Sequence, residues 1–437
     1  MTRPGGIWQN WARTERVRPQ RVEYPPTVEA VRRSVRAAGA RGLAIKAVGA
    51  GHSFTGIAVA PGVLLELEDL SGLVSVDRER SRVRLLAGTR LHQIPALLAP
   101  FGLAMANLGD IDRQSIAGAI STGTHGTGLG FGGIATQVTA VTLVTADGEL
   151  LTVDEENNAE LLPAVALGLG ALGILVDVTI QCVPAFVLRA VEQPEALSAV
   201  VSRIPERSST VDHFEFYWFP HTEVALTKTN TRMPSESPTH PLPSVTKWVD
   251  DILVGNVVHQ LACSAGRAIP ATVPAINRLS SRVWGDRTFS DSSHRVFATA
   301  RGVRFREMEY AVPFERLVDA FEALQRLIAQ RDWRVEFPIE VRVAAADDLW
   351  LSTAHGRTSG YIAVHRYWRA DPSDYFPAVE EIMLAHDGRP HWGKMHSLGS
   401  ASLRERYPRF DDFVALRNRL DPHRRFRNPY LDRVLGE

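Results

Sequence analysis

Two stretches of this 437-residue chain carry side chains able to move protons and to stabilise charge. The first, Glu336–Leu351, reads E-F-P-I-E-V-R-V-A-A-A-D-D-L-W-L. Glu340 and Arg342 stand two apart on a strand-like run and so share a face, with Val341 and Val343 on the other. The second is His391-Trp392-Gly393-Lys394-Met395-His396, where Gly393 lets the chain pass closely and leaves Lys394 to reach inward. Only four of the 49 basic residues are lysine (Lys46, Lys228, Lys247 and Lys394), so an ammonium at 394 marks a place where arginine does not serve. Fixed cations stabilise negative charge developing on an oxygen, and a carboxylate beside them orients them or takes a proton. Spacing alone leaves a plain salt bridge at Glu340–Arg342 open. His365, in the strand-like run Tyr361–Trp368, reads either as a substrate-side group or as a packed core histidine.

Two glycine-rich stretches supply a different chemistry. Ile45 to Val59 reads I-K-A-V-G-A-G-H-S-F-T-G-I-A-V: an apolar strand that ends in a turn whose backbone N–H groups are bare, a cradle for a pyrophosphate. A dinucleotide fingerprint of the G-x-G-x-x-G type would need glycine where Phe54 stands, and no helical pattern follows, so that reading fails. The second stretch, Asn107 to Gly130, interleaves glycines with Ser115, Ser121, Thr122, Thr124 and Thr127, offering hydroxyls and uncovered N–H groups. Ile111, Ile116, Ala117 and Ile120 within it need a core, which argues against a loose loop.

These groups must be held by ordinary globular elements. Thr27 before Val28, Val31 and Val35 predicts a capped helix ending near Gly39. Val63–Leu86 alternates apolar and polar residues around a charged turn, which means paired strands. Leu91–Phe101 reads as a short helix, and Val138–Thr145 with Leu150–Val153 as strands joined by an Asp147-Gly148 turn. Past Pro184 the glycine loops cease: strand-like Phe214–Phe219 and Glu307–Pro313, an exposed proline-rich loop at Met233–Pro243 and an amphipathic helix at Val318–Gln330 follow. Leu161–Val176 is apolar but holds Pro163 and three glycines and falls short of the roughly 20 residues of a membrane span. A formal net charge of zero gives no reason to expect a nucleic-acid or membrane-surface partner. Two cysteines, Cys182 and Cys263, are too few for a disulfide framework or a cysteine-built metal site, and with no signal-like start the expectation is a cytoplasmic protein without a metal.

Gly49-Ala50-Gly51-His52-Ser53 resembles the flavin loop of vanillyl-alcohol-oxidase-type FAD-linked oxidoreductases, above all the aldonolactone oxidase branch, to which alditol oxidases are close. S-x-A-G followed by S-T-G-T-H-G-T-G, G-x-L-G-I at 170–174, E-x-R with D-x-L-W-L, H-W-G-K and the tail Asp421–Leu431 extend the resemblance along nearly the whole chain. It implies an α+β fold, with a two-part FAD-binding domain and an inserted α+β cap: 1–183 for FAD, 184–385 for substrate, and 386–437 returning to the FAD domain. It places Val48, Gly49, Ala50, Gly51, His52, Ser53, Gly109, Ser115, Gly118, Ser121, Thr124, His125, Gly126, Gly173, Ile174 and Lys394 at the cofactor, with His52 its covalent anchor. Glu340, Arg342, Lys394 and His365 become the catalytic set. The implied reaction is oxidation of a sugar-1,4-lactone of the gulono-, galactono- or arabinono- type by hydride transfer to flavin, with O₂ as acceptor giving H₂O₂. Gly109 favours O₂ over an electron carrier, because relatives that avoid oxygen can carry alanine there. Asp110 stands where other members have serine, which leaves its contact with substrate open. The alternatives are an alditol oxidase acting on polyols, a dehydrogenase passing electrons to a carrier, and a non-enzymatic flavin or nucleotide binder in which Glu340–Arg342 is structural.

Overall fold

The computed structural model describes residues 2–4, 6–243, 259–283, 285–299 and 303–437; Lys247 lies outside them. Thr27 caps the first helix as expected, its side chain accepting the Ala30 N–H, and Val31, Val35 and Ala38 of Val28–Ala40 are buried. They pack on a four-stranded sheet in which Arg21–Glu23 and Ile45–Val48 flank Val63–Glu66 in parallel. A second, antiparallel sheet orders Leu150–Val153, Val138–Val144, Ile174–Pro184, Arg82–Leu86 and Leu73–Asp77. The glycine-rich stretch between the two sheets is more regular than its composition predicts. Ile116–Thr122 is a helix, with Ser115 as its N-cap and Gly123 in the left-handed conformation as its C-cap, because Ile116, Ala119 and Ile120 find a core.

The third sheet is antiparallel, in the order Arg287–Ser292, Phe186–Ala196, Val224–Pro234, His213–Trp218, Ile339–Ala344, Ser359–Tyr367, Phe305–Pro313 and Arg389–Pro390. Strand alternation gives it two unlike faces. Phe216, Val341, Val343, Ile362, Val364, Met308 and Tyr310 lie in one core with residues of the helices Leu317–Arg331 and Tyr375–Ala385. The register aligns Tyr217 with Glu340, Glu340 with Ala363, Ala363 with Glu309, and His365 with Glu307, so the ionisable residues share the opposite face.

The C-terminal segment returns to the first sheet. Ile45 N–H donates to the Arg425 carbonyl at 2.8 Å, and Phe426 joins the core of the first helix. Asn428 accepts the Leu431 N–H as N-cap of Pro429–Leu435. Its amide also donates to the carbonyls of Gly56, Ile57 and Val59 at 2.9–3.0 Å. Asn428→Ala removes the cap and leaves buried carbonyls without their donor. The expected loss is about 2–3 kcal/mol, read as a lowered urea midpoint.

Candidate active site

Gly51 has φ +67 and its carbonyl accepts the Trp11 N–H at 2.8 Å. A Cβ on Gly49 would lie 2.4 Å from Ser115 Oγ, so only glycine lets this turn approach the cap of the Ile116–Thr122 helix. Between the two runs opens a cavity of about 1130 Å³, counting its mouth. Val48 through Ser53 line it with Ser115, Gly118, Ser121, Gly173 and Ile174. Glycines, hydroxyls and bare backbone along its walls fit an extended dinucleotide such as FAD.

A second cavity of about 820 Å³ shares His52, Ser53, Gln114 and Thr122 with the first. It holds Glu340, Arg342, Lys394 and His365 together with Gly109, Thr124 and His125. His52 therefore stands where the two spaces join. Its ring stacks on Trp11 at 5.8 Å, and burial, aided by Arg90 and Lys394, pushes its pKa down to about 4. Gly126 lies outside both linings: a Cβ there would meet the Leu108 carbonyl at 2.3 Å, so its bareness serves backbone packing.

Three pairs of hydrogen bonds bring the elements to this point. Phe54 N–H donates to Gly393 O at 2.7 Å and Thr55 to Trp392 O at 3.1 Å, binding the His52 loop to the Lys394 loop. His391 N–H and Met395 N–H donate to the carbonyls of Glu309 and Glu307, laying that loop along the strand Phe305–Pro313. Gly128 N–H donates to Val343 O and Val343 N–H to Thr127 Oγ1, docking the glycine run on the Glu340–Arg342 strand.

The charges in the second cavity come in matched sets. Arg342 pairs with Glu215 at 2.8 Å and closely with Glu340, and the single Tyr217 hydroxyl proton lies between the two carboxylates, its oxygen 3.3 Å from Glu215 and 3.2 Å from Glu340. Burial alone would lower the Arg342 pKa, but the two carboxylates hold it well above its usual value. Lys394 pairs closely with Glu307 and lies over the Phe54 ring at 5.3 Å. Burial alone would raise Glu307, yet the Lys394 ammonium beside it pulls it down to about 2. His125 Nε2 lies 3.2 Å from Glu309, whose pKa falls well below the carboxylate range for the same kind of reason.

Glu307, Glu309, Glu215, Tyr217 and His391 were not among the residues singled out from sequence. The E-x-E spacing at 307–309 was the available signal, since it puts two carboxylates on one strand face. Ligand atoms of His125, Glu309 and His391 lie within 4.8 Å of one another. They do not form a metal site as they stand: His391 Nδ1 accepts the Gly393 N–H at 3.0 Å, and its neutral ring then carries a proton on Nε2.

The Glu307–Lys394 pair makes acid stability testable. A folded-state pKa near 2 against an ordinary 4.5 contributes stability that is complete above pH 4.5 and lost as pH falls through 2. Wild type should be clearly more stable than Glu307→Gln at pH 6, and urea titrations should show that margin shrink as pH falls from 4.5 towards 2.

A model of the D-arabinono-1,4-lactone oxidase family matches residues 178–434, and a model of the FAD binding domain matches residues 19–154. The chain is similar to L-gulono-1,4-lactone dehydrogenase of Mycobacterium tuberculosis, 41% identical across 98% of this chain and 99% of the relative. It is 33% identical to L-gulonolactone oxidase of Scyliorhinus torazame and 30% identical to alditol oxidase of a Streptomyces species, each across 98% of both chains. Among solved structures, cholesterol oxidase from Brevibacterium sterolicum shares the fold, with a TM-score of 0.82 over 100% of this chain and 97% of that one at 18% identity. No helix among the described residues is long and apolar enough to cross a membrane. The chain thus belongs to the D-arabinono-1,4-lactone oxidase family and is an FAD-dependent oxidoreductase.

Proposed function

We propose that the protein oxidises a CH–OH group of a sugar-1,4-lactone, of gulono-, galactono- or arabinono- type, with O₂ as acceptor and H₂O₂ as product. The observation that carries this reading is the second cavity: two fixed cations, Arg342 and Lys394, share it with His52. Bound FAD supplies the hydride acceptor. Arg342 and Lys394 stabilise negative charge on the substrate oxygen, Glu340 holds Arg342 in orientation, and His365 faces the substrate. His52 is the covalent flavin anchor, a role supported by its place at the junction and by a nitrogen kept unprotonated through burial. Val48, Gly49, Ala50, Gly51, Ser53, Ser115, Gly118, Ser121, Gly173 and Ile174 line the cofactor's path, and we read 1–183, 184–385 and 386–437 as FAD domain, cap and return.

Gly109 lines the reaction cavity without a side chain, which supports O₂ as acceptor. A Cβ there would press on the His125 carbonyl at 3.0 Å. A cytoplasmic location belongs to the same reading and is supported by Cys182 and Cys263, both buried free thiols.

A denaturing gel viewed in acid for flavin fluorescence tests the anchor. Fluorescence should stay with the wild-type band and leave with His52→Ala; a yellow protein whose flavin always dissociates would refute it. Oxygen uptake and H₂O₂ release with L-gulono-, L-galactono- and D-arabinono-1,4-lactone, beside xylitol and sorbitol, test the substrate. Greater turnover with the polyols would assign an alditol oxidase, and turnover only with an artificial electron carrier would assign a dehydrogenase.

A further inference from the structure

Oxidising a CH–OH group breaks an O–H bond as well as a C–H bond, so the cavity must supply a proton acceptor, and hydrogen bonds separate the candidates there. Glu340 Oε1 already receives Arg342 and lies 3.2 Å from the Tyr217 hydroxyl it shares with Glu215. Glu307, against Lys394 with its pKa near 2, is a weak base, and Glu309 is weak for the same reason. Four histidines line the cavity. His52 is committed to the cofactor on the reading above. His391 carries its proton on Nε2, because Nδ1 accepts from Gly393. His125 has both nitrogens engaged, Nδ1 by Gly126 O at 2.8 Å and Nε2 by Glu309 at 3.2 Å.

His365 differs. Its Nδ1 lies 3.0 Å from the Pro338 carbonyl, which only accepts, so the neutral ring has its proton on Nδ1 and the lone pair on Nε2. Nε2 is 3.6 Å from Glu307, too long for a hydrogen bond and close enough to stabilise a positive ring. Phe305 and Phe337 hold the ring with centroids at 5.1 and 6.1 Å.

We propose that His365 takes the substrate hydroxyl proton at Nε2, that Glu307 is the positioning carboxylate stabilising the imidazolium so formed, and that Glu340 is reserved for Arg342. The proposal rests on the oxidation reading above. In the step, the O–H bond breaks and its proton passes to Nε2. The C–H pair leaves as hydride, its two electrons reduce the oxidised cofactor, and the carbon–oxygen double bond forms.

The test is anaerobic flavin bleaching by L-gulono-1,4-lactone in a single turnover, with flavin content and lactone dissociation constants measured alongside. His365→Asn keeps a donor towards Pro338 but cannot take a proton. It should retain flavin and bind lactone within about threefold while bleaching slows roughly 10²–10⁴-fold. Imidazole added to His365→Gly should restore a substantial part of the rate, a rescue that a merely structural histidine would not show. Should the glycine variant lose its flavin, the asparagine variant decides alone. Glu307→Gln should bleach about tenfold more slowly, whereas Glu340→Gln should mainly weaken lactone binding. Bleaching by His365→Asn within threefold of wild type, or its abolition by Glu340→Gln with His365→Asn still active, would overturn the assignment. A wild-type flavin that no lactone or polyol bleaches would instead overturn the oxidation reading, and the proton acceptor with it.

Discussion

Burying carboxylates on the open face of a sheet is the cost around which this protein is arranged. Glu215, Glu307, Glu309 and Glu340 are each less than a tenth exposed. An unpaired buried carboxylate is costly enough that it would protonate rather than stay charged. Each is matched: Arg342 reaches Glu340 on its own strand and Glu215 on the neighbouring one, while Lys394 on Glu307 and His125 on Glu309 come from other elements. Lys394 and His125 come from loops on either side of the sheet in sequence, so neutralising the face also fixes where those loops sit.

That requirement ties the halves of the chain together. The loop of Lys394 is bonded through Trp392 and Gly393 to the loop of His52, and the glycine run that carries His125 is bonded to the strand of Glu340 and Arg342. The apolar opposite face, packed on two helices, is rigid enough to hold the strand register to which the charges are referred. The site is therefore built from strands for its acids and for Arg342 and from loops for Lys394 and His125, with backbone hydrogen bonds joining the two.

What could be read in the sequence follows from how local each signal is. The Glu340–Arg342 pair was legible because both residues sit on one strand two apart, and the His52 turn because glycines and an apolar strand adjoin in sequence. The helix at Ile116–Thr122 was obscured by composition: glycines and serines hid a short apolar face that only a core reveals. Glu307 and Glu309 were visible as strand residues, but nothing in their spacing says that Lys394, His365 and His125 stand opposite. Those pairings depend on the register of strands far apart in the chain and on loops closing over them. The part played by Gly126 was misleading for a related reason, since a bare backbone looks the same whether a ligand or Leu108 approaches it.

Matching also bears on what the cavity accepts. A ligand with its own carboxylate would have to compete with Glu307 for Lys394 or with Glu215 and Glu340 for Arg342, leaving a buried protein carboxylate unpaired at a cost of several kcal/mol. An uncharged ring bearing hydroxyls faces no such competition. It can donate to carboxylate lone pairs and accept from ammonium and guanidinium protons that the pairs do not use, so that both cations stay in place while charge develops on one of its oxygens. The arrangement that allows the acids to be buried is thus the same one that favours a closed lactone over its ring-opened acid.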